Sequence, residues 1–268
     1  MDTRLGLDEE IKRIGSDEEK GATELAMLSA LALNRCKTLE EMRVNADTLL
    51  YLKPMMAPIV NLAAGVKACS SLADAQRFVR NFMRSMQEGQ DKVATQFVST
   101  ILKKHPQFDA VVTVSASRVV EGCIGKLSER QKSLKVVVAE SRPKMEGTAL
   151  AKRLRARVKD VYITWDASIF AFVRRGVIAL VGADAVLKDS LVNKAPTLAL
   201  CIVAKANRVP VLVVTTSHKV LEPKAEPLFV LPKPRQIEHE GVSILDHQFD
   251  LVPRSLVDCI ITENGILG

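Results

Sequence analysis

Apolar positions recur at helical spacing through the first hundred residues and in short unbroken runs thereafter. Ile11, Ile14, Ala22, Leu25, Leu28 and Ala32 predict a helix over 8–33, with Asp8, Glu9 and Glu10 at the end where the helix dipole favours acids. A second helix is expected over 38–50. Pro54 and Pro58 then interrupt the chain, and Pro58 suits the first turn of a helix running to about 69. Ser71 with Asp74 resembles a capping box. The stripe that follows, from Ala75 and Phe78 to Ile101 and Leu102, predicts a longer helix in which Gly89 marks a kink or a join. Nothing in the first hundred residues reads as a strand.

The pattern changes after His105 and Pro106. Short β-branched runs at 110–115, 134–140, 161–164, 177–182, 209–214 and 257–262 now alternate with helical stretches at 117–128, 145–157, 168–174 and 197–207. The runs are apolar throughout, as strands are when helices cover both faces of a parallel sheet. Strand and helix in alternation predict an α/β fold, a Rossmann-like doubly wound, mostly parallel sheet. The expected organisation is a helical N-terminal domain over 1–105 and a Rossmann-like α/β domain over 106–268. Pro223, Pro227, Pro232 and Pro234 place a surface loop at 220–241, either an inert connector or a contact arm.

Composition narrows the class. With 268 residues, 47% apolar, 26% charged and only 4% aromatic, the chain is long enough for two ordinary domains with aliphatic cores. No apolar run reaches the roughly 18 residues that cross a bilayer, and the charged N-terminus lacks a secretory signal, so a cytoplasmic protein with no membrane partner is expected. The five cysteines and four histidines show neither C-x-x-C nor H-E-x-x-H spacing, so no metal, no cofactor and no disulfide framework are expected. Residues 1–109 carry 15 basic and 15 acidic side chains, whereas residues 110–268 carry 23 and 16, so the net charge of +7 lies wholly in the second half. That asymmetry suits an acidic partner: phosphate, nucleic acid or an acidic protein surface. The densest run, Lys152 to Lys159, falls where a solvated helix end is the simpler reading, and no RNA-binding signature with interleaved aromatics accompanies it.

In an open parallel sheet, ligands bind beyond the carboxyl ends of the strands. Ser115, Glu140, Arg142, Asp166, Asp184, Asn193 and Lys194 fall at such ends or in the loops that follow. Arg142 and Lys194 suit a phosphate, and paired carboxylates suit proton transfer, although Asp and Ser after strands also serve as ordinary helix caps. Neither G-x-x-x-x-G-K-[ST] nor a helix-opening G-x-G-x-x-G occurs, which argues against a P-loop NTPase or a standard dinucleotide enzyme.

AESRPKMEG (139–147), WDASI (165–169), VGADAVL (181–187), VNKAPT (192–197), FDLVP (249–253) and IITENGIL (260–267) stand in an order and spacing that resemble the initiation factor 2B alpha/beta/delta family, which also contains ribose-1,5-bisphosphate and methylthioribose-1-phosphate isomerases. IKRIGSDEEKGATELA (11–26) resembles the family's helical entry more weakly. The resemblance implies a catalytic aspartate at Asp184 and a catalytic cysteine at the position of Ser115, where a hydroxyl is a far poorer proton donor than a thiol. It also implies ligand-binding roles for Lys20, Glu140, Arg142, Asp166, Asn193 and Lys194. Lys20 replaces an arginine and loses its bidentate geometry; Pro196 replaces a glycine and removes a backbone donor. Ser117-Arg118 looks like the regulatory subunits. Foremost among the implied functions is a non-catalytic regulatory protein, homodimeric through the α/β domain and contacting the alpha subunit of initiation factor 2. An aldose–ketose sugar-phosphate isomerase stands second, and a sensor of a phosphorylated sugar or nucleotide third.

Overall fold

The computed structural model describes residues 6–17, 20–105 and 107–267. The helices, in chain order, are α1 (Leu7–Ser16), α2 (Ala22–Leu33), α3 (Leu39–Leu52), α4 (Ala57–Ala68), α5 (Leu72–Lys104), α6 (Arg118–Arg130), α7 (Glu146–Leu154) and α8 (Thr197–Ala206). The strands are β1 (Ala110–Thr113), β2 (Lys135–Ala139), β3 (Asp160–Thr164), β4 (Val177–Val181), β5 (Ala185–Val186), β6 (Ser190–Lys194), β7 (Val211–Val214), β8 (Arg235–His239), β9 (Val242–Asp246), β10 (Phe249–Pro253), β11 (Cys259–Thr262) and β12 (Gly265–Leu267). They divide between two compact units: the chain up to Glu88 with Asp184–Lys188 and His218–Leu231, and Gly89–Ala183 with Asp189–Ser217 and the chain from Pro232 onward.

The first unit is helical. Thr38 accepts the Glu41 N–H at 3.1 Å to open α3, Pro58 lies in the first turn of α4, and Ser71 accepts the Asp74 N–H at 3.1 Å to open α5. Ile11, Leu25, Leu33, Met42, Leu49, Ile59 and Leu62 form its core, each contributing about 1.5–3 kcal/mol by leaving water. The single helix expected over 8–33 is instead α1 and α2. Asp17 leaves the helical conformation and its carboxylate accepts the Lys20 N–H at 2.9 Å, a local bond that competes with the helix ladder, and Gly21 then opens α2 from an extended conformation. The short β5 belongs to this unit, where Val186 bridges to Val220.

The second unit is built on a seven-stranded sheet in the order β12-β11-β7-β4-β1-β2-β3, parallel except for the antiparallel β12. Helices cover it with an aliphatic core that includes Val111, Ile124, Leu127, Val136, Ile178 and Leu212. Chain direction reverses its lateral progress at β1: β2 and β3 lie on one side, β4, β7 and β11 on the other, so the carboxyl ends of β1 and β4 flank the crevice position of a doubly wound sheet. Three expectations change here. Gly89 does not interrupt α5, although the division between the two units falls at it, and a Cβ there would come within 3.3 Å of Thr216. Residues 192–197 are not all loop, because β6 pairs antiparallel with β10, and Asn193 lies opposite Asp250. Nor is 220–241 a loop throughout. After Pro234 the prolines end, and β8 forms a hairpin with β9 across Glu240 and Gly241, whose φ values of 51° and 76° fit a two-residue turn. Among the described residues no helix is long and apolar enough to cross a membrane.

Candidate functional site

Two strand tips turn sharply at serines in the left-handed region: Ser115 after β1 (φ 64°) and Ser141 after β2 (φ 63°). Such backbone costs on the order of 1–3 kcal/mol and needs bonds to hold it. The Ser141 Oγ accepts the Ser115 N–H at 2.7 Å and donates to the Ala139 carbonyl at 3.1 Å. The N–H groups of Ser141 and Arg142 both donate to the Asp166 carboxylate at 2.8 Å, one to each oxygen. Asp166, delivered by the end of β3, therefore occupies the donor pair that this turn presents. The Arg142 guanidinium returns to Glu140 at 3.0 Å and is itself 72% exposed. Gly147 follows at the start of α7, where its N–H donates to the Glu140 carbonyl at 3.1 Å. On the neighbouring tip, Gly182 admits Ser117: a Cβ there would stand 3.1 Å from its Oγ.

Lys194, at the end of β6, is only 5% exposed, and its ammonium lies 3.3 Å from the Glu146 carboxylate in the first turn of α7 and 6.0 Å from the centre of the Phe249 ring. Because Lys194 is buried and Glu146 half-buried, loss of the carboxylate would orphan a buried ammonium, which is costly. Asn193 donates through Nδ2 to the Thr197 hydroxyl at 2.8 Å, bracing the β6–α8 turn. The Leu198 N–H at the start of α8, the type of donor that otherwise receives an anion, donates to Asp250 at 2.8 Å. Among the described residues, Glu146 Oε2, Thr113 Oγ1 and Thr215 Oγ1 are buried and find no hydrogen-bond partner.

The structure thus links Ser115, Glu140, Arg142 and Asp166 in one network, joins Lys194 to it through Glu146, and sets Asn193 on the same strand as Lys194. The remaining two expected residues belong to the helical unit, each with its own partner. Asp184 pairs with Lys219 at 3.6 Å. Lys20 donates to Asp17 at 2.6 Å, a hydrogen bond that raises the ammonium above its ordinary pKa; it lines an open cavity of about 660 Å³ with Glu10, Arg13, Asp17 and Arg35. Burial pushes all five thiols above their ordinary pKa, Cys201 to about 12, so none is predisposed to ionise near neutrality. Glu146 and Asp250 were missed as functional residues. Both stand inside recognisable motifs, but their roles depend on the start of α7 meeting Lys194 and on the β6–β10 register.

The chain matches the Initiation factor 2 subunit family over residues 6–268. It is 30% identical over 266 residues to a translation initiation factor eIF-2B subunit 2-like protein of Pyrococcus horikoshii, covering 96% of this chain and 94% of that one. It is 29% identical over 282 residues to the ribose 1,5-bisphosphate isomerase of Archaeoglobus fulgidus, covering 97% and 88%. The crystal structure of the translation initiation factor eIF-2B of Pyrococcus horikoshii OT3 superposes with a TM-score of 0.81 at 28% identity, covering 97% of this chain and 96% of that one.

Proposed function

We propose that this chain, which belongs to the Initiation factor 2 subunit family, is a regulatory protein of the initiation factor 2B type and not an isomerase. What carries the reading is that its own carboxylates already occupy the groups suited to a phosphorylated substrate. Glu146 holds Lys194, Asp166 fills the Ser141 and Arg142 N–H pair, and Asp250 takes the Leu198 N–H. A phosphate must displace a carboxylate at each point, against the cost of leaving that carboxylate buried or unpaired. Ser115 adds to this, standing where the family resemblance puts a thiol, with its N–H engaged by Ser141.

The α/β unit is the proposed homodimer contact. β3 is an edge strand of the sheet, and beside it Trp165, the chain's one tryptophan, is 72% exposed, with Tyr162 and Phe172 also exposed. Interfaces enrich such rings, and uncovered edges are usually protected. The helical region is proposed to contact the alpha subunit of initiation factor 2, as the resemblance implies. Its capture at micromolar concentration is the expected result of a pull-down.

An isomerase is the second reading, favoured by the buried Lys194 beside Asn193, the unpartnered Glu146 oxygen, and the relative named for that activity. The deciding experiment incubates the protein with ribose 1,5-bisphosphate or methylthioribose 1-phosphate. No ketose is expected; turnover that Asp184→Asn abolishes overturns the regulatory reading. A sugar or nucleoside phosphate bound without turnover, at 100 times its Kd, would add about 2.7 kcal/mol in thermal-shift measurements.

A further inference from the structure

We propose that the amino-terminal edge of the seven-stranded sheet docks duplex RNA through its phosphate backbone. β7, β4, β1, β2 and β3 are consecutive parallel neighbours, so their amino ends share one edge, opposite the tips that carry Ser115 and Glu140. Every turn entering that edge brings an exposed cation: Arg208 before β7, Arg175 before β4, Lys104 before β1, Lys132 before β2, and Arg157 with Lys159 before β3. Strands stand about 4.8 Å apart, so the row extends roughly 20 Å, the reach of several successive phosphates.

Among the described residues, three acidic side chains lie on the same edge; Asp160, half-buried, opens β3 beside Lys159, and the other two are engaged. Asp109 pairs with Arg174 at 3.5 Å, while Asp258 accepts the Val211 N–H at 2.8 Å and faces Lys205 at 3.9 Å. Among the described residues, none of the six cations is held in an ion pair. The helix dipole does not account for their placement. It acts within the last turn, which explains Lys104, but Lys132 lies beyond the end of α6 at Arg130, Arg157 and Lys159 beyond the end of α7 at Leu154, and Arg208 beyond the end of α8 at Ala206.

The chemistry selects among polyanionic partners. A protein interface needs an apolar or aromatic centre and is depleted in lysine; the only aromatic rings these turns carry among the described residues are the half-buried Phe108 and His105. Single-strand binding draws on exposed aromatic platforms for base stacking, and membrane-surface binding on an inserted apolar face. Cations alone suit a duplex read by shape and phosphate. The choice of RNA over other duplexes rests on the initiation-factor reading; the phosphate chemistry does not.

Fluorescence anisotropy with a labelled RNA duplex of mixed sequence tests this on the full chain. If all six cations meet phosphate, affinity is expected to fall about a thousandfold between about 50 and 200 mM salt. The triple variant Lys132→Glu, Lys159→Glu, Arg175→Glu is expected to lose at least tenfold in affinity and about three in log–log salt slope. Lys12→Glu, Lys37→Glu, Arg80→Glu on the helical unit makes the same change in net charge and is expected to bind as wild type. A Gln version of the edge triple serves if charge reversal perturbs folding. Equal losses from both triples, an edge triple that binds as wild type, preference for the single strand or for duplex DNA, or displacement of the duplex by poly-glutamate at equal charge overturns the proposal. Ketose formation, which sinks the regulatory reading, is measured separately, so the two ideas fail independently.

Discussion

Gly147 has no room for a side chain, because a Cβ there would lie 1.8 Å from the Ala139 carbonyl oxygen. The obstacle is backbone, so Gly147→Ala must push the start of α7 away from the end of β2 and with it Glu146 from Lys194. A loss of about 3 kcal/mol in urea unfolding is expected; a variant within about 0.5 kcal/mol of wild type would mean that this junction is not fixed. At this scale the sequence was only partly legible. The strand-end rule found Glu140, Arg142 and Asp166, since it needs only the strands. It did not find that Asp166 is spent on the Ser141 and Arg142 N–H groups, because that follows from a left-handed serine that no periodicity announces. Gly147 was visible as a residue of AESRPKMEG, but the contact that requires it was not.

Among the elements, α8 shows how a site can be closed from within its own chain. Its first turn follows Pro196, which donates no N–H, and the Leu198 N–H is taken by Asp250 from the paired strand β10. Asp250→Ala is expected to cost about 1 kcal/mol in the same unfolding measurement, as loss of a helix cap does. No loss would show that the carboxylate does not cap the helix. The alternation of apolar strands with helices was readable because β1, β2, β4 and β7 are buried almost throughout, so their runs are unbroken by polar residues. β6 and β10 were not, because each carries polar residues and their pairing joins segments more than fifty residues apart. The division of α1 from α2 escaped the helical periodicity for a related reason: Asp17 breaks the ladder through its side chain while the apolar spacing continues past it.

For the molecule as a whole, charge and exposed rings fall on different edges of the sheet. β3 with Trp165 is the proposed contact between copies, and Trp165→Glu is expected to convert a dimer to a monomer in sedimentation velocity; a wild-type protein already monomeric at micromolar concentration rules that contact out. The β8–β9 hairpin is a feature of another kind. Both strands are exposed almost throughout and pair, among the described residues, only with each other, and a lone two-stranded ribbon is marginal in water. Its backbone bonds are therefore the cheapest in the α/β unit to open, and a protease will find the chain there first. A cut at the Glu240–Gly241 turn leaves the last segment attached without a covalent link, by β10 against β6, β11 against β7, the Asp250 and Asp258 hydrogen bonds and the buried Val252 and Ile261. Such a nicked protein keeps its fold until heated, and then separates into two pieces.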